Sequence, residues 1–286
     1  MLKRVLVLAA AAAMAAPLAG SCGSAPAAAA AAPAHDAFAW PHGARAAISL
    51  AYDDALDSQL DHALPVLNRL GIKGSFYLQL SSPSVARRMP EWRAAAQVGH
   101  ELGNHSLFHQ CARSGAGRDW VEPHRNLDTM SVEQMRDQVL LANTMLEAID
   151  GRKERTYTVP CGDTLAGGRD YLVAVQGSFV AVKVGGGTGV LDSMRTLDPL
   201  AVPVAAPTGV TGKELIAIVR QAVKRGTMVN FTFHGIGGDY LNVSKEAHEE
   251  LVTFVALNRE LVWTDTFINI MKHVRREQAP KPTRLE

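Results

Sequence analysis

The sequence predicts an α/β fold in which a single domain forms a TIM-like (β/α) barrel, either closed or incomplete. Three observations support this prediction. Apolar strand-like runs alternate with helix-like runs along most of the chain, which is typical of a parallel sheet covered by helices. The chain has 286 residues, of which 47% are hydrophobic, so it can bury one sizeable core. No internal repeat or second linker divides the region after residue 37.

The strand predictions rest on apolar runs that are short for helices. Residues 46–52 form the first run and residues 73–80 the second, and residues 99–104 lead into a third short strand or a loop. Later runs of this kind cover residues 157–159, 179–184, 228–233 and 261–263. Residues 185–207 are glycine-rich at their start and show neither pattern, so they are interpreted as a loop.

Helical spacing of apolar residues accompanies most of these strands. The predicted helices cover residues 56–70, 85–98, 131–149, 212–224, 244–258 and 266–274. The helix over residues 131–149 carries the clearest signals. Ser131 and Gln134 match a capping box, and Gly151 is a typical stop residue.

The two ends of the chain differ from this domain. Residues 1–22 combine a basic start with an apolar run too short to span a bilayer, which predicts an export signal. Its end resembles a lipoprotein signal, so Cys22 is either lipidated or removed by ordinary cleavage. An Ala/Pro-rich linker over residues 23–37, a folded domain over residues 38–276 and a polar tail over residues 277–286 complete the organisation. The protein is therefore expected in the periplasm or cell envelope, lipid-anchored there, or secreted.

The charge pattern argues against nucleic acid as a partner. The formal net charge is +1, and no dense run of basic residues occurs before the short tail. A membrane contact is expected only through a lipid on Cys22. The sequence carries no signal for an oligomeric state.

Polar residues at the predicted strand ends are the candidates for chemistry, because barrel enzymes place their active sites at the carboxyl ends of the strands. Asp53 and Asp54 follow the first strand, His105 and His109 follow the third, and His234 ends the run over residues 228–233. On a helical turn, two histidines four residues apart lie about 40° from each other around the helix axis and can bind one ion. Two histidines and one carboxylate, with a position left for water, form a common catalytic zinc site. Either aspartate could supply the carboxylate.

Each of these elements has a plainer explanation when taken alone. Two aspartates before a helix often only cap it and complement its dipole. A histidine pair with this spacing often occurs on the surface by chance. A protease-type His-Glu-x-x-His motif is excluded, because His100 and His105 are five residues apart. The joint occurrence of all the elements favours a metal site.

Four segments resemble the polysaccharide deacetylases with a NodB homology domain, the carbohydrate esterase family 4. Residues 49–55 read Ser-Leu-Ala-Tyr-Asp-Asp-Ala and resemble the family's Thr-Phe-Asp-Asp-Gly motif. Residues 99–109 end in His-Ser-Leu-Phe-His and resemble the second motif, His-Ser/Thr-x-x-His. Residues 157–162 resemble the third motif, Arg-x-Pro-x-Gly, and Phe-His-Gly at 233–235 resembles the fifth. The similarity covers nearly all of the predicted domain.

This resemblance implies a distorted barrel and a role for each residue. Asp54, His105 and His109 would hold Zn²⁺ or a similar divalent transition metal, Asp53 would act as the general base, and His234 would act as the general acid. The loop of Pro160, Cys161 and Gly162 would supply a backbone N–H to the oxyanion, at or beside Cys161. The implied reaction removes acetyl groups, with N-acetyl preferred, from an acetylated carbohydrate of the cell envelope or the environment.

The chain departs from the family pattern at three points. Ala55 replaces the glycine of the first motif, which is tolerable if residue 55 does not need a positive φ. Thr158 stands where the family often has an arginine that braces the base, so one influence that keeps Asp53 ionised is expected to be missing. The fourth motif has no match between residues 183 and 207.

Two further features bear on the site. Cys111 and Cys161 lie in the second- and third-motif regions, and a disulfide between them is preferred over free thiols or thiol ligation of the metal. Trp120 and Trp263 could stack on sugar rings, although burial is the expected fate of Trp263.

Other functions remain open at this level. The same site could serve an O-esterase on acetylated xylan or an amidase on a non-sugar amide. A catalytically silent barrel that only binds glycan is the alternative from another class. The presence of all five strand-end residues argues against it, because a binding module has no need for them.

Overall fold

The computed structural model describes residues 38–280. The predicted export signal, Cys22, the linker and residues 281–286 of the predicted tail lie outside the described residues. The last described helix runs past residue 276, where the domain was predicted to end, to Gln278. None of the described helices is long and apolar enough to cross a membrane.

The main sheet contains seven strands, which are β1 (Ala46–Asp53), β2 (Ser75–Leu78), β3 (Glu101–Asn104), β4 (Thr156–Thr158), β7 (Ala181–Lys183), β8 (Met228–Phe233) and β9 (Val262–Thr264). This sheet is parallel and has the order β7-β4-β3-β2-β1-β8, with β9 paired to the start of β1. It confirms the predicted α/β fold with a distorted, incomplete TIM-like barrel. A small antiparallel pair, β5 (Leu165–Ala166) and β6 (Arg169–Asp170), lies apart from this sheet.

The alternation of side chains along β1 separates the two sides of the sheet. Ile48, Leu50 and Tyr52 belong to the larger apolar cluster, together with residues of the covering helices. Ala47 and Ala51 belong to a different cluster, which includes residues of β7 and β8 and of the last helix. Because strand side chains alternate with a period of two, Asp53 continues the second set.

The helices cover the sheet much as the sequence predicted. They are α1 (Leu64–Leu70), α2 (Pro83–Gln97), α3 (Val132–Asp150), α4 (Leu172–Val175), α5 (Gly212–Arg225), α6 (Lys245–Leu257) and α7 (Phe267–Gln278). A π-helical turn, Gln59–Ala63, precedes α1 in the region predicted as one helix. The capping box of Ser131 and Gln134 is present at the start of α3, and Gly151 ends this helix in the left-handed conformation with φ 74°.

The segment 185–207 is more ordered than the predicted loop. It contains no regular strand, but its backbone bonds to both edges of the main sheet. The Val184 N–H donates to Val202 O at 2.9 Å beside β7, and the Ala205 N–H donates to Asn230 O at 2.9 Å on β8. The segment thus spans the opening between the two edge strands. The edge bonds were not predictable from the glycine-rich composition.

Candidate active site

A cleft of about 920 Å³ opens at the carboxyl ends of the main strands. All five strand-end residues predicted from the sequence line it: Asp53, Asp54, His105, His109 and His234. β1, β3 and β8 carry these residues at or just after their ends. The parallel arrangement therefore brings together side chains that lie up to 181 positions apart, the span from residue 53 to residue 234.

Asp54, His105 and His109 form one corner of the cleft, here called the metal corner. Asp54 Oδ1 lies 3.1 Å from His105 Nε2 and 3.2 Å from His109 Nε2. Ligand atoms bound to one tetrahedral zinc at about 2.0–2.2 Å lie about 3.3 Å apart. Asp54 Oδ1 is buried and receives no well-oriented hydrogen bond from the described residues. The three atoms therefore fit a shared divalent cation.

The other ring nitrogen of each histidine also has a partner. His105 Nδ1 lies 2.8 Å from the backbone oxygen of Thr158, to which its N–H donates if Nε2 is the metal ligand. His109 Nδ1 lies 3.5 Å from Cys111 Sγ. These contacts orient both rings with Nε2 towards Asp54.

The two histidines lie in a loop and not on the helical turn that was considered for their spacing. The segment is a loop in which Ser106 (φ 62°) and His109 (φ 53°) have left-handed backbones. Asn104 Oδ1 accepts from the Ser106 N–H at 2.7 Å, and Ser106 Oγ accepts from the His109 N–H at 3.0 Å. These bonds fold the loop so that the two ring centroids lie 4.7 Å apart.

Left-handed backbone is concentrated around the cleft. Apart from His42, every described non-glycine residue with a positive φ lies in a loop of the site: Asp54, Ala55, Ser106, His109, Cys161, Asp239 and Leu241. Such conformations cost free energy and cluster at functional sites. Ala55 has φ 55°, so the condition under which alanine was expected to be tolerable is not met.

The protonation preferences in the metal corner suit metal ligation. Burial and the neighbouring His105 lower the pKa of His109 to about 4, so this ring is neutral at pH 7. Burial opposes charge on Asp54, but the adjacent imidazoles of His105, His109 and His234 hold the pKa of its carboxyl well below the usual range. Burial also opposes charge on His105, yet Asp53 and Asp54 raise its pKa. A metal would displace the proton that His105 holds.

The Asp53 side chain points away from the metal corner, into the barrel. With Lys183 it forms a second corner, here called the base corner. Lys183 Nζ lies 3.4 Å from Asp53 Oδ1. Burial lowers the pKa of Lys183, and the negative charge of Asp53 opposes this shift. Lys183 was not predicted from the sequence, in which Thr158 at the arginine position was expected only to remove one influence that keeps Asp53 ionised. The available signal was a lysine inside the apolar run 179–184.

His234 and Tyr240 face the metal corner from the loop after β8. His234 Nε2 lies 3.8 Å from Asp54 Oδ2, and the Tyr240 hydroxyl donates to the same oxygen at 2.9 Å. Burial and the charge of Asp54 raise the pKa of Tyr240, so its hydroxyl keeps the proton that it donates. Tyr240 was not predicted, because it lies five residues after the Phe-His-Gly segment at 233–235 and belongs to none of the matched motifs.

Cys111 and Cys161 are joined by a disulfide with a Cα–Cα distance of 5.8 Å. The bond ties the loop that carries His109 to the third-motif loop Pro160–Gly162. At Gly162 a Cβ atom would come within 3.0 Å of Gly185 Cα, so the third-motif loop and the segment after β7 approach backbone to backbone. Glycine is needed for this contact.

The two tryptophans have different positions. Trp120 lines the cleft and is 58% exposed, with its ring centroid 6.4 Å from that of His109. Trp263 is partly buried and packs near Trp40 and His273. Only Trp120 is placed to meet a substrate.

A family model described as polysaccharide deacetylase matches residues 41–175. Residues 41–175 belong to the polysaccharide deacetylase family. The resemblance inferred from the sequence motifs is confirmed. The matched region contains the deacetylase motifs at Asp53–Asp54, at His105 to His109 and at the Pro160–Gly162 loop, whereas Lys183 and His234 lie beyond it.

Solved structures share the deacetylase fold at low identity. A Mycobacterium smegmatis protein with a provisional description as a polysaccharide deacetylase is 15% identical, with a TM-score of 0.60 over 88% of this chain and 98% of that one. A peptidoglycan deacetylase from Bacillus subtilis is 16% identical, with a TM-score of 0.51 over 81% and 92%. A family 4 acetyl xylan esterase from Clostridium thermocellum, in complex with a cobalt ion, is 19% identical, with a TM-score of 0.50 over 79% and 90%. No curated protein matches the chain.

Proposed function

We propose that this protein is a metal-dependent deacetylase that removes acetyl groups, with N-acetyl preferred, from a polysaccharide. Membership of the deacetylase family supports a hydrolase of the deacetylase or esterase type. The observation that carries the proposal is the convergence of Asp54, His105 and His109 on one point in a cleft that Asp53 and His234 also line. Oxygen and imidazole nitrogen together favour zinc or a similar transition metal over magnesium.

The chain's own residues divide the chemistry. A divalent ion in the metal corner would polarise the acetyl carbonyl and lower the pKa of a bound water. Asp53, which lines the cleft and is not one of the three metal-corner groups, accepts the proton of the attacking water. His234, whose ring is partly exposed to the cleft, donates a proton to the departing amine or alkoxide.

The third-motif loop leaves one backbone donor for the oxyanion. Pro160 has no N–H, and the Gly162 N–H donates to Val159 O at 3.1 Å. The Cys161 N–H is therefore the donor that we assign to the oxyanion, as the family resemblance implied. The left-handed backbone of Cys161 (φ 57°) and its disulfide hold this peptide group in place.

The walls of the cleft suit a carbohydrate. Aromatic rings that stack on the apolar faces of sugars need to be partly exposed, and Trp120, Phe108 and Tyr240 are 58%, 40% and 53% exposed at the cleft. The Arg125 guanidinium lies 5.5 Å from the Phe108 ring centroid and adds a hydrogen-bond donor beside this surface.

The test is an acetate-release screen with and without added zinc, over chitooligosaccharides, peptidoglycan, poly-N-acetylglucosamine and acetylated xylan. We expect zinc-dependent release from at least one N-acetylated substrate and loss of activity after chelation. Release from acetylated xylan alone would make the protein an O-esterase. Full activity without metal, or no release by wild type from any substrate, would contradict the proposal. Asp192→Asn is the control for substitutions of the carboxylates in the site, because the Asp192 carboxylate lies outside the cleft and is 96% exposed.

We also propose that the protein is exported, with Cys22 as either a lipidated residue or part of a removed signal. The basis is the basic and apolar pattern of residues 1–22. Cell fractionation of wild type and Cys22→Ser distinguishes the two forms. Membrane association that is lost in Cys22→Ser supports the lipid anchor, and wild-type protein in the cytoplasm would contradict export.

A further inference from the structure

Lys183 is an unusual residue for its position. It ends β7, its side chain is completely buried, and its neighbours Val182 and Val184 are apolar. A buried ammonium group is costly unless an opposite charge and hydrogen bonds compensate for its lost hydration. The position of Lys183 therefore requires a partner inside the barrel.

The partner is Asp53. Lys183 Nζ lies 3.4 Å from Asp53 Oδ1 and 4.0 Å from the centroid of the Tyr77 ring. The ring adds a favourable cation-π contact. Among the described residues, Lys183 is also the group that hydrogen-bonds the Asp53 side chain.

A second buried carboxylate, Glu101, also acts on Lys183 electrostatically but has its own partners. Its Oε2 accepts from Ser75 Oγ at 2.6 Å and from the Ile268 N–H at 3.0 Å, and Thr156 Oγ1 donates to Oε1. Neutral donors therefore satisfy the Glu101 carboxylate. The direct contact of the Lys183 ammonium group is with Asp53.

We propose that Lys183 is a positioning residue for the deacetylase reaction: it holds Asp53 by Oδ1 inside the barrel and leaves the second carboxylate oxygen for the attacking water. Lys183 itself does not line the cleft, whereas Asp53 does, so the lysine acts through the aspartate. The third-motif position that often carries an arginine in the family is Thr158 here. In this chain the cation beside Asp53 is therefore Lys183 on β7 and not a residue of the third motif. This inference rests on the proposed function.

The test compares Lys183→Met, Lys183→Arg, Asp53→Asn and the double variant Asp53→Asn/Lys183→Met in the full chain. In Lys183→Met we expect kcat to fall about a hundredfold, with KM within about threefold of wild type and zinc content unchanged. Lys183→Arg keeps the charge and should retain at least about a tenth of kcat. Arg155→Met is the matched control, because Arg155 is a buried cation paired with Asp150 outside the cleft. It should lower Tm without lowering kcat of the folded protein.

The double variant separates positioning from general stability. If Lys183 acts through Asp53, Asp53→Asn/Lys183→Met should be no slower than Asp53→Asn alone. The double variant should also melt at a higher temperature than Lys183→Met, because it no longer buries an unpaired carboxylate. This melting comparison needs no activity. It still tests the ion pair if wild type releases no acetate, a result that would refute the proposed function alone.

Three results would overturn the inference. They are a Lys183→Met variant with wild-type kcat, a Lys183→Met variant that loses its zinc, and additive effects of the two substitutions on both kcat and Tm. If Lys183→Met does not fold, equal loss of kcat in Lys183→Arg and in Asp53→Asn would overturn it, because the charge would then not matter.

Discussion

The metal corner and the base corner begin at adjacent residues of one strand end but have different surroundings. Asp54 lies among two imidazoles and the Tyr240 hydroxyl, with one oxygen 3.1 and 3.2 Å from the two Nε2 atoms. Asp53 lies against one buried ammonium group, that of Lys183. The alternation of side chains along β1 directs Asp53 into the barrel. The left-handed backbone of Asp54 (φ 78°) turns the Asp54 side chain in a different direction. Two identical side chains thereby acquire different chemical surroundings.

The corners also differ in how their residues are spread along the chain. The core of the metal corner comes from residues 54, 105 and 109, all within the region that the family model matches. The base corner joins residues 130 positions apart, and Lys183 lies outside that region. A motif can therefore identify the first corner, whereas only the topology of the sheet forms the second.

The largest expected effect separates the roles of the two aspartates. Asp54→Asn, like His105→Ala, should lose both metal and activity, with part of the activity restored by excess zinc. Asp53→Asn should keep its metal while the rate falls about a hundred- to ten-thousand-fold, the loss typical of removing a general base. Zinc stoichiometry and initial rates of acetate release check this. If Asp53→Asn loses the metal and Asp54→Asn keeps it, the roles are reversed; near wild-type rates in both would refute the assignment.

Removal of the disulfide should affect the metal corner more than the base corner. The bond closes a loop with a sequence separation of 50 residues, and the double substitution Cys111→Ser/Cys161→Ser should lower the free energy of unfolding by about 2–4 kcal/mol. Zinc affinity should also fall, because Cys111 Sγ contacts His109 Nδ1. Chemical denaturation and zinc titration measure the two effects. The Tm coupling between Asp53 and Lys183 should stay unchanged in this background, and its loss would show that the corners are not independent.

Acid sensitivity should come in part from the scaffold behind both corners. His248 lies against Tyr52, the residue before Asp53, with 2.6 Å between Nε2 and the hydroxyl, and burial lowers its pKa to about 3. The unfolded chain, with a histidine pKa of about 6.5, binds a proton that the folded chain does not bind. The contribution of His248 to stability therefore falls by about 2 kcal/mol between pH 7.5 and pH 5.

Urea denaturation of wild type and His248→Gln at both pH values tests this. The variant should lose less stability than wild type on acidification, by about the same 2 kcal/mol. His100 and His109 also have pKa values lowered to about 4 by burial, so the variant should keep part of the pH dependence. Identical pH dependence in the two proteins would exclude His248 as a source.

The smallest expected effect concerns the turn that directs the two aspartates apart. Ala55 is buried with φ 55°, a conformation that costs an L-residue about 1–2 kcal/mol. Ala55→Gly relieves this strain, at the cost of a more flexible unfolded chain and one buried methyl group. The free energy of unfolding should rise by up to about 1 kcal/mol. Ala51→Gly is the matched control on β1 and should be destabilising. A loss of stability in Ala55→Gly as large as that in the control would show that the turn is not strained.

Local patterns in the sequence determined most of the elements and the residues of the metal corner. The strand and helix runs were predictable because side-chain periodicity is a short-range property, and the capping box at Ser131 was predictable for the same reason. The five strand-end residues were predictable because polar groups that directly follow apolar strands in parallel barrels converge at one edge. The helical turn considered for the spacing of His105 and His109 is not present, because spacing alone does not reveal left-handed residues such as Ser106 and His109.

The tertiary structure alone decided the partner of Asp53, the contact of Tyr240 with Asp54 and the backbone bonds of the segment 185–207 to both edge strands. Each depends on which strands become neighbours across the barrel and on which face each side chain lies. The order β7-β4-β3-β2-β1-β8 fixes these relations over distances of more than 100 residues. No local pattern carries that information, because strand register and closure result from packing of the whole domain.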